Sequence, residues 1–148
     1  MMNLSCFARF QNAPSPQIER RFLFALARFD NADAIDDMCA RTLDGSIRSQ
    51  DAAFLLGQAL GNRQHGLRVW DFVTTSWEAI NDTVPDNTVG RMLGGVQWLE
   101  HGDAAGVYAF LDAHDVPQAK LAIAQHRERL GVHVALRSRF SAELSQVS

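Results

Sequence analysis

From Ser15 onward the apolar residues recur at three- and four-residue intervals, and no stretch alternates apolar with polar for long enough to specify a strand. That periodicity restricts the chain to an all-α fold. Ile18, Phe22, Ala25 and Phe29 stripe a first helix that Pro16 opens and that stops near Asp30. Asn31 or Asp33 caps the next, where Ile35, Met38, Cys39 and Leu43 share a face and Gly45 supplies the stop. The run IRSQDAAFLLGQALGN, residues 47–62, begins polar and turns almost wholly apolar. Ser49 is expected to accept from the free amides of the first turn there, and Asp51 to place negative charge at the positive end of the helix dipole.

Gly61 ends that helix, and a fourth is predicted from about Gln64 to Asn81, with Trp70, Val73, Trp77 and Ile80 inward and Leu67 and Val69 beside them. Val89, Met92, Leu93, Val96 and Leu99 stripe a fifth that starts after Pro85 and Asp86 and runs toward Gly102. Asp103 starts a short sixth through Val107, Phe110 and Leu111. Pro117 begins a long seventh in which Val132, Leu136, Phe140 and Leu144 recur every four residues; Gly131 interrupts it at a cost of ~1 kcal/mol.

About seven helices in pairs of roughly 30 to 38 residues suggest antiparallel hairpins stacked as an irregular HEAT-like or armadillo-like α-solenoid, with an ordinary bundle as the alternative. Residues 1–14 are expected to be a flexible N-terminal segment and 15–148 a single helical-repeat domain. A chain of 148 residues fits one domain that buries roughly 70% of its unfolded surface. The net charge of −3 argues against a nucleic-acid partner, which would need a dense basic face. No apolar run approaches the ~20 residues that span a bilayer, so no membrane partner is expected. MMNLSCFARF lacks the basic leader and apolar core of a secretory signal. Cys6 and Cys39 lie far apart without a CxxC spacing, the pattern of reduced thiols in a cytoplasmic protein.

Catalytic constellations are absent from the sequence. Of the histidines at 65, 101, 114, 126 and 133, no two stand four apart with a glutamate beside the first, as HExxH requires. In HRERL, Leu130 occupies the place of the second ligand. His126 and His133, seven apart, share a helix face but suit a core or surface role better than a metal. No GxSxG elbow occurs. GRMLGG, residues 90–95, lacks the lysine of a phosphate loop, and Met92 and Leu93 belong to the helix stripe. Asp36 and Asp37 are adjacent on a helix and point apart, which disfavours shared acid–base work. Trp70, Trp77 and Trp98 fit helix interfaces.

Three features taken together, IRSQD at 47–51, Asn62, and Trp70, Phe72 and Trp77 within NRQHGLRVWDFVTTSW, resemble the helical C-terminal domain of the aminopeptidase N family of zinc metallopeptidases, the endoplasmic-reticulum-aminopeptidase-like C-terminal domain. VYAFLDAH and RERLGVHVAL resemble its later helices, and the likeness runs from about Gln17 to Leu144. Glu128 matches the family pattern. His133 stands where asparagine is common, Leu136 where tryptophan is common, and Leu67 follows Gly66 where the family has arginine.

The resemblance implies a chain that is not itself an enzyme and that carries no cofactor. The zinc, its ligands, the general-base glutamate and the GAMEN-type motif belong to a catalytic domain absent from these residues. The chain then reads as part of a zinc aminopeptidase or a stand-alone relative. It implies, too, a wall that encloses the active-site chamber and controls peptide access, with the catalytic domain as partner and peptide as a transient one. Arg48, Gln50, Asp51, Asn62, Trp70, Trp77 and Glu128 are the candidate structural or chamber-facing residues. Arg63, Arg68, Arg127 and Arg137 are candidates for the peptide carboxylate. The alternative is an independent helical-repeat adaptor for a protein partner.

Overall fold

The computed structural model describes the backbone of residues 2–99 and 104–147, with side chains from Cys6 onward. Among the described residues there is no strand. Nine α-helices follow in order: α1 Met2–Gln11, α2 Pro16–Leu26, α3 Ala32–Arg41, α4 Ser49–Leu60, α5 Gly66–Thr75, α6 Trp77–Thr83, α7 Asp86–Met92, α8 Ala104–Ala113 and α9 Lys120–Val147. A 3₁₀ segment, Leu93–Trp98, continues α7, and a 3₁₀ turn, Pro117–Ala119, leads into α9. His101, the stop expected at Gly102 and the start expected at Asp103 lie outside the described residues.

Local chemistry sets the boundaries around α2 and α3. Ser15 accepts from the Ile18 amide at 3.4 Å with Pro16 in the first turn of α2, and Asn31 accepts from the Ala34 amide at 2.9 Å ahead of α3. Gly45, at φ +85°, makes the left-handed turn between α3 and α4. At α4 the expectation fails: Arg48 is the N-cap residue and no side chain caps the first turn, so Ser49 is helical and not a cap.

Two further departures concern whole elements. The segment 1–14, expected to be flexible, contains α1, which packs along α2. Phe7 and Phe10 are buried, Arg41 of α3 lies 3.9 Å over the Phe7 ring, and the Cys6 thiol donates to the Phe22 carbonyl at 3.6 Å. The helix expected over 64–81 breaks at Ser76 into α5 and α6. These two changes take the expected seven helices to nine among the described residues.

α4 is the central element, packing on α2, α5, α7 and the 3₁₀ segment, and Leu55, Leu56 and Leu60 are fully buried. On α2 the predicted stripe is only half-buried, while Leu23 and Leu26 enter the core. The reason is that α2 is covered on two sides, by α1 and by α3 and α4, so no single face is inner. Trp70 is buried and meets Phe110 edge-on at 5.2 Å, as does the half-buried Trp77, which docks α5 and α6 on α8. Leu67, by contrast, is exposed.

Small residues let α4 and α9 approach the α7 region. A Cβ on Gly95 would stand 2.3 Å from the Gly57 carbonyl oxygen and 2.6 Å from Leu60 Cβ. One on Gly94 would stand 3.2 Å from the His126 ring. GRMLGG is thus a packing seam. Against it α9 sets two imidazoles: His126 Nε2 lies 2.9 Å from the Gly90 carbonyl and His133 Nδ1 2.6 Å from the Gln97 carbonyl. The seven-residue spacing of the histidines matches the seven-residue spacing of their acceptors.

Candidate functional site

Asn62 holds the turn between α4 and α5 to the end of α2. Its Nδ2 donates to the carbonyls of Ala27 at 2.9 Å and Phe29 at 3.0 Å, while its Oδ1 accepts from the amides of Gln64 and His65, each at 3.0 Å. All four bonding positions of the amide are filled. Asp30, next along the chain, pairs with His65 Nε2 at 3.3 Å.

This clamp shapes one wall of an open cleft of ≈ 410 Å³ lined by Ala27, Arg28, Gly57, Gln58, Gly61, Asn62, Arg63 and Trp98. Trp98 is 52% exposed, and its ring stacks on His133 at 4.8 Å and 22°. Bonded to the Gln97 carbonyl, His133 holds the indole in place. Among the described residues no carboxylate pairs with Arg28 or Arg63. A neighbouring depression on α2, lined by Arg21, Phe24 and Phe29, shares Arg28 with the cleft. Two guanidinium groups beside a fixed, exposed indole suit an anion attached to an apolar group.

The remaining arginines named from the sequence are differently placed. Arg68 grips Asp36 of α3 through two hydrogen bonds, at 2.6 and 2.9 Å, and this partner holds the Asp36 carboxyl below its usual range. Arg127 pairs with Asp112 of α8 and lies 5.1 Å over the Tyr108 ring. Both are occupied as interhelical ties. Arg137 is exposed on α9, as is Glu128. Arg48 reaches Glu19 of α2 at 3.5 Å. Gln50 is exposed and Asp51 half-buried, and among the described residues neither side chain makes a hydrogen bond. The structure therefore brings Asn62 and Arg63 together at the cleft and leaves the rest elsewhere.

Sequence reasoning missed Arg28 and the use of Trp98. Residues 28, 63 and 98 come from three segments that only packing joins, so no local pattern marks them. Asp36 and Asp37 do point apart: the second bonds Arg41, one turn on, at 2.8 Å.

Among the described residues no three His, Cys, Asp or Glu side chains converge as a metal site would need. No helix among these residues is long and apolar enough to cross a membrane. Burial pushes the Cys39 thiol up to about 12, so it is no nucleophile at neutral pH.

Residues 5–131 match the family model described as the ERAP1-like C-terminal domain. No curated protein and no solved structure matches the chain.

Proposed function

Because the chain belongs to the ERAP1-like C-terminal domain family, a helical, non-catalytic part of aminopeptidases, we propose that it forms a wall of a peptidase chamber and meets the peptide's C-terminal end at the cleft between α2, α4 and the 3₁₀ segment. The carrying observation is the contrast among arginines. Arg68 and Arg127 are neutralised by acids of neighbouring helices, whereas Arg28 and Arg63 stand without a carboxylate partner among the described residues beside an exposed Trp98.

In this reading the two guanidinium groups take the terminal carboxylate, and Trp98 or Phe24 and Phe29 take the last apolar side chain. The consecutive packing of helices, α1 on α2, α2 on α3 and α4, α4 on α5 and α7, α7 on α9, favours a short curved array presenting the cleft toward a catalytic domain. A cytoplasmic setting fits the two free thiols.

The test is a titration of Trp98 fluorescence with a peptide ending in leucine, as the free acid and as the amide, in a background where Trp70 and Trp77 are replaced by phenylalanine. Exposed ion pairs are weak, so affinity on the order of millimolar is expected for the acid. It should fall several-fold for the amide and for Arg63→Ala or Arg28→Ala. Equal binding of acid and amide would remove the carboxylate assignment.

A further inference from the structure

Among the described residues Leu130 is the one side chain that α9 buries fully, with Ile123 and Val134 half-buried beside it. Its seat on the Gly90–Trp98 seam therefore leans on the two imidazoles. Because Nε2 of His126 faces the Gly90 carbonyl at 2.9 Å it carries the proton, which leaves Nδ1 as a bare lone pair. That Nδ1 is buried and has no hydrogen-bond partner among the described residues. A neutral ring fits this place. An imidazolium would bury a second N–H with no acceptor and a charge with no counter-ion, both costly. The 3₁₀ segment and the turn 117–119 carry no charged residue to relieve it. α7 carries Asp86 and Arg91, and α8 carries Asp112, which Arg127 already holds, and Tyr108, whose hydroxyl donates to the Arg127 carbonyl. On α9 itself the charge that bears on the ring is that of Arg129, of the same sign as the imidazolium.

We infer that protonation of His126 lifts α9 off the seam and thereby frees Trp98 in the cleft. His133 carries the effect. It follows His126 on the same face of α9, donates from Nδ1 to the Gln97 carbonyl at 2.6 Å and stacks on the Trp98 indole at 4.8 Å. When α9 leaves, the indole loses the ring behind it, and the cleft loses a fixed wall. The release is local, because α4 keeps its packing on α2, α5 and α7 with Leu55, Leu56 and Leu60 fully buried. Its direction follows from the proton count. Docked α9 binds fewer protons than released α9, so the seam is closed above the ordinary histidine pKa of about 6.5 and opens as pH falls below it.

Fluorine NMR of the full chain labelled with fluorotryptophan, run from about pH 8 to about pH 5 around that pKa, tests the release. The label reports on Trp70, Trp77 and Trp98 separately, and hydrogen exchange read by mass spectrometry follows α9 against α4. In acid the Trp98 signal should move toward its solvent-exposed position while those of Trp70 and Trp77 stay. Exchange in α9, corrected for the intrinsic rate, should rise about tenfold or more relative to α4. His126→Gln keeps a donor for the Gly90 carbonyl and does not titrate, so both responses should vanish. His133→Gln should keep the exchange response of α9 but show Trp98 at its freed position already at neutral pH. A stationary Trp98 signal in wild type, all three signals moving together as in global unfolding, or an undiminished response in His126→Gln would each overturn the inference, the last moving the switch to His133.

Discussion

Asn62 concentrates more of the fold's specification than any other polar side chain at the cleft, since one amide closes four backbone groups from two segments. Replacing it by alanine leaves two carbonyls and two amides to find water in a half-buried place. Asn62→Ala should lower stability by about 1–3 kcal/mol, read from urea unfolding. His126 is the second residue with a defined consequence. With Nε2 donating to Gly90, Nδ1 is a buried lone pair with no partner among the described residues. Burial lowers the ring's pKa, outweighing the Gly90 carbonyl, which raises it; the Arg129 charge lowers it further. The unfolded chain, whose histidine titrates near about 6.5, therefore binds more protons than the folded one as pH falls below that value. Stability is full above the unfolded pKa and is lost as pH drops from there toward the folded one. Melting temperatures measured from neutral to mildly acidic pH should fall less in His126→Gln than in wild type, because the other histidines are common to both.

At the scale of elements, the glycines divide by what they face. Gly95 opposes a carbonyl and a leucine across the α4 crossing. Gly95→Ala should therefore destabilise by about 1–3 kcal/mol through overpacking. Gly131 sits inside α9, where an added Cβ meets nothing nearer than the Tyr108 hydroxyl at 3.4 Å. Gly131→Ala should stabilise by about 0.5–1 kcal/mol, with both changes measured in the same denaturant series. The helices themselves were legible wherever start signals and periodicity agreed, as at Pro16 and Asn31. Periodicity could not see the break at Ser76, because Val73, Trp77 and Ile80 keep their phase across it. Nor could it locate the change from α7 to 3₁₀ geometry within GRMLGG, since Met92, Leu93 and Val96 satisfy both geometries. The short α1 escaped because its anchor is a tertiary contact, Arg41 over Phe7, with no trace in local sequence. At the cleft, Asn62 and Arg63 could be named from the sequence, while Arg28 becomes a neighbour only when α2 packs on α4.

For the whole molecule, helices packed around α4 carry an open cleft lined by Arg28, Arg63 and Trp98, and among the described residues no three His, Cys, Asp or Glu side chains converge. Membership of the family rests on residues 5–131, which take in α2 to α8 and the first half of α9. We propose that the chain holds peptide without cutting it. Incubating the chain with zinc and a peptide free at both ends, following Trp98 fluorescence and then recovering the peptide by mass spectrometry, addresses that claim directly. A saturable fluorescence change with the peptide recovered at its original mass is the expected result; release of the N-terminal residue at a rate proportional to chain concentration would contradict it.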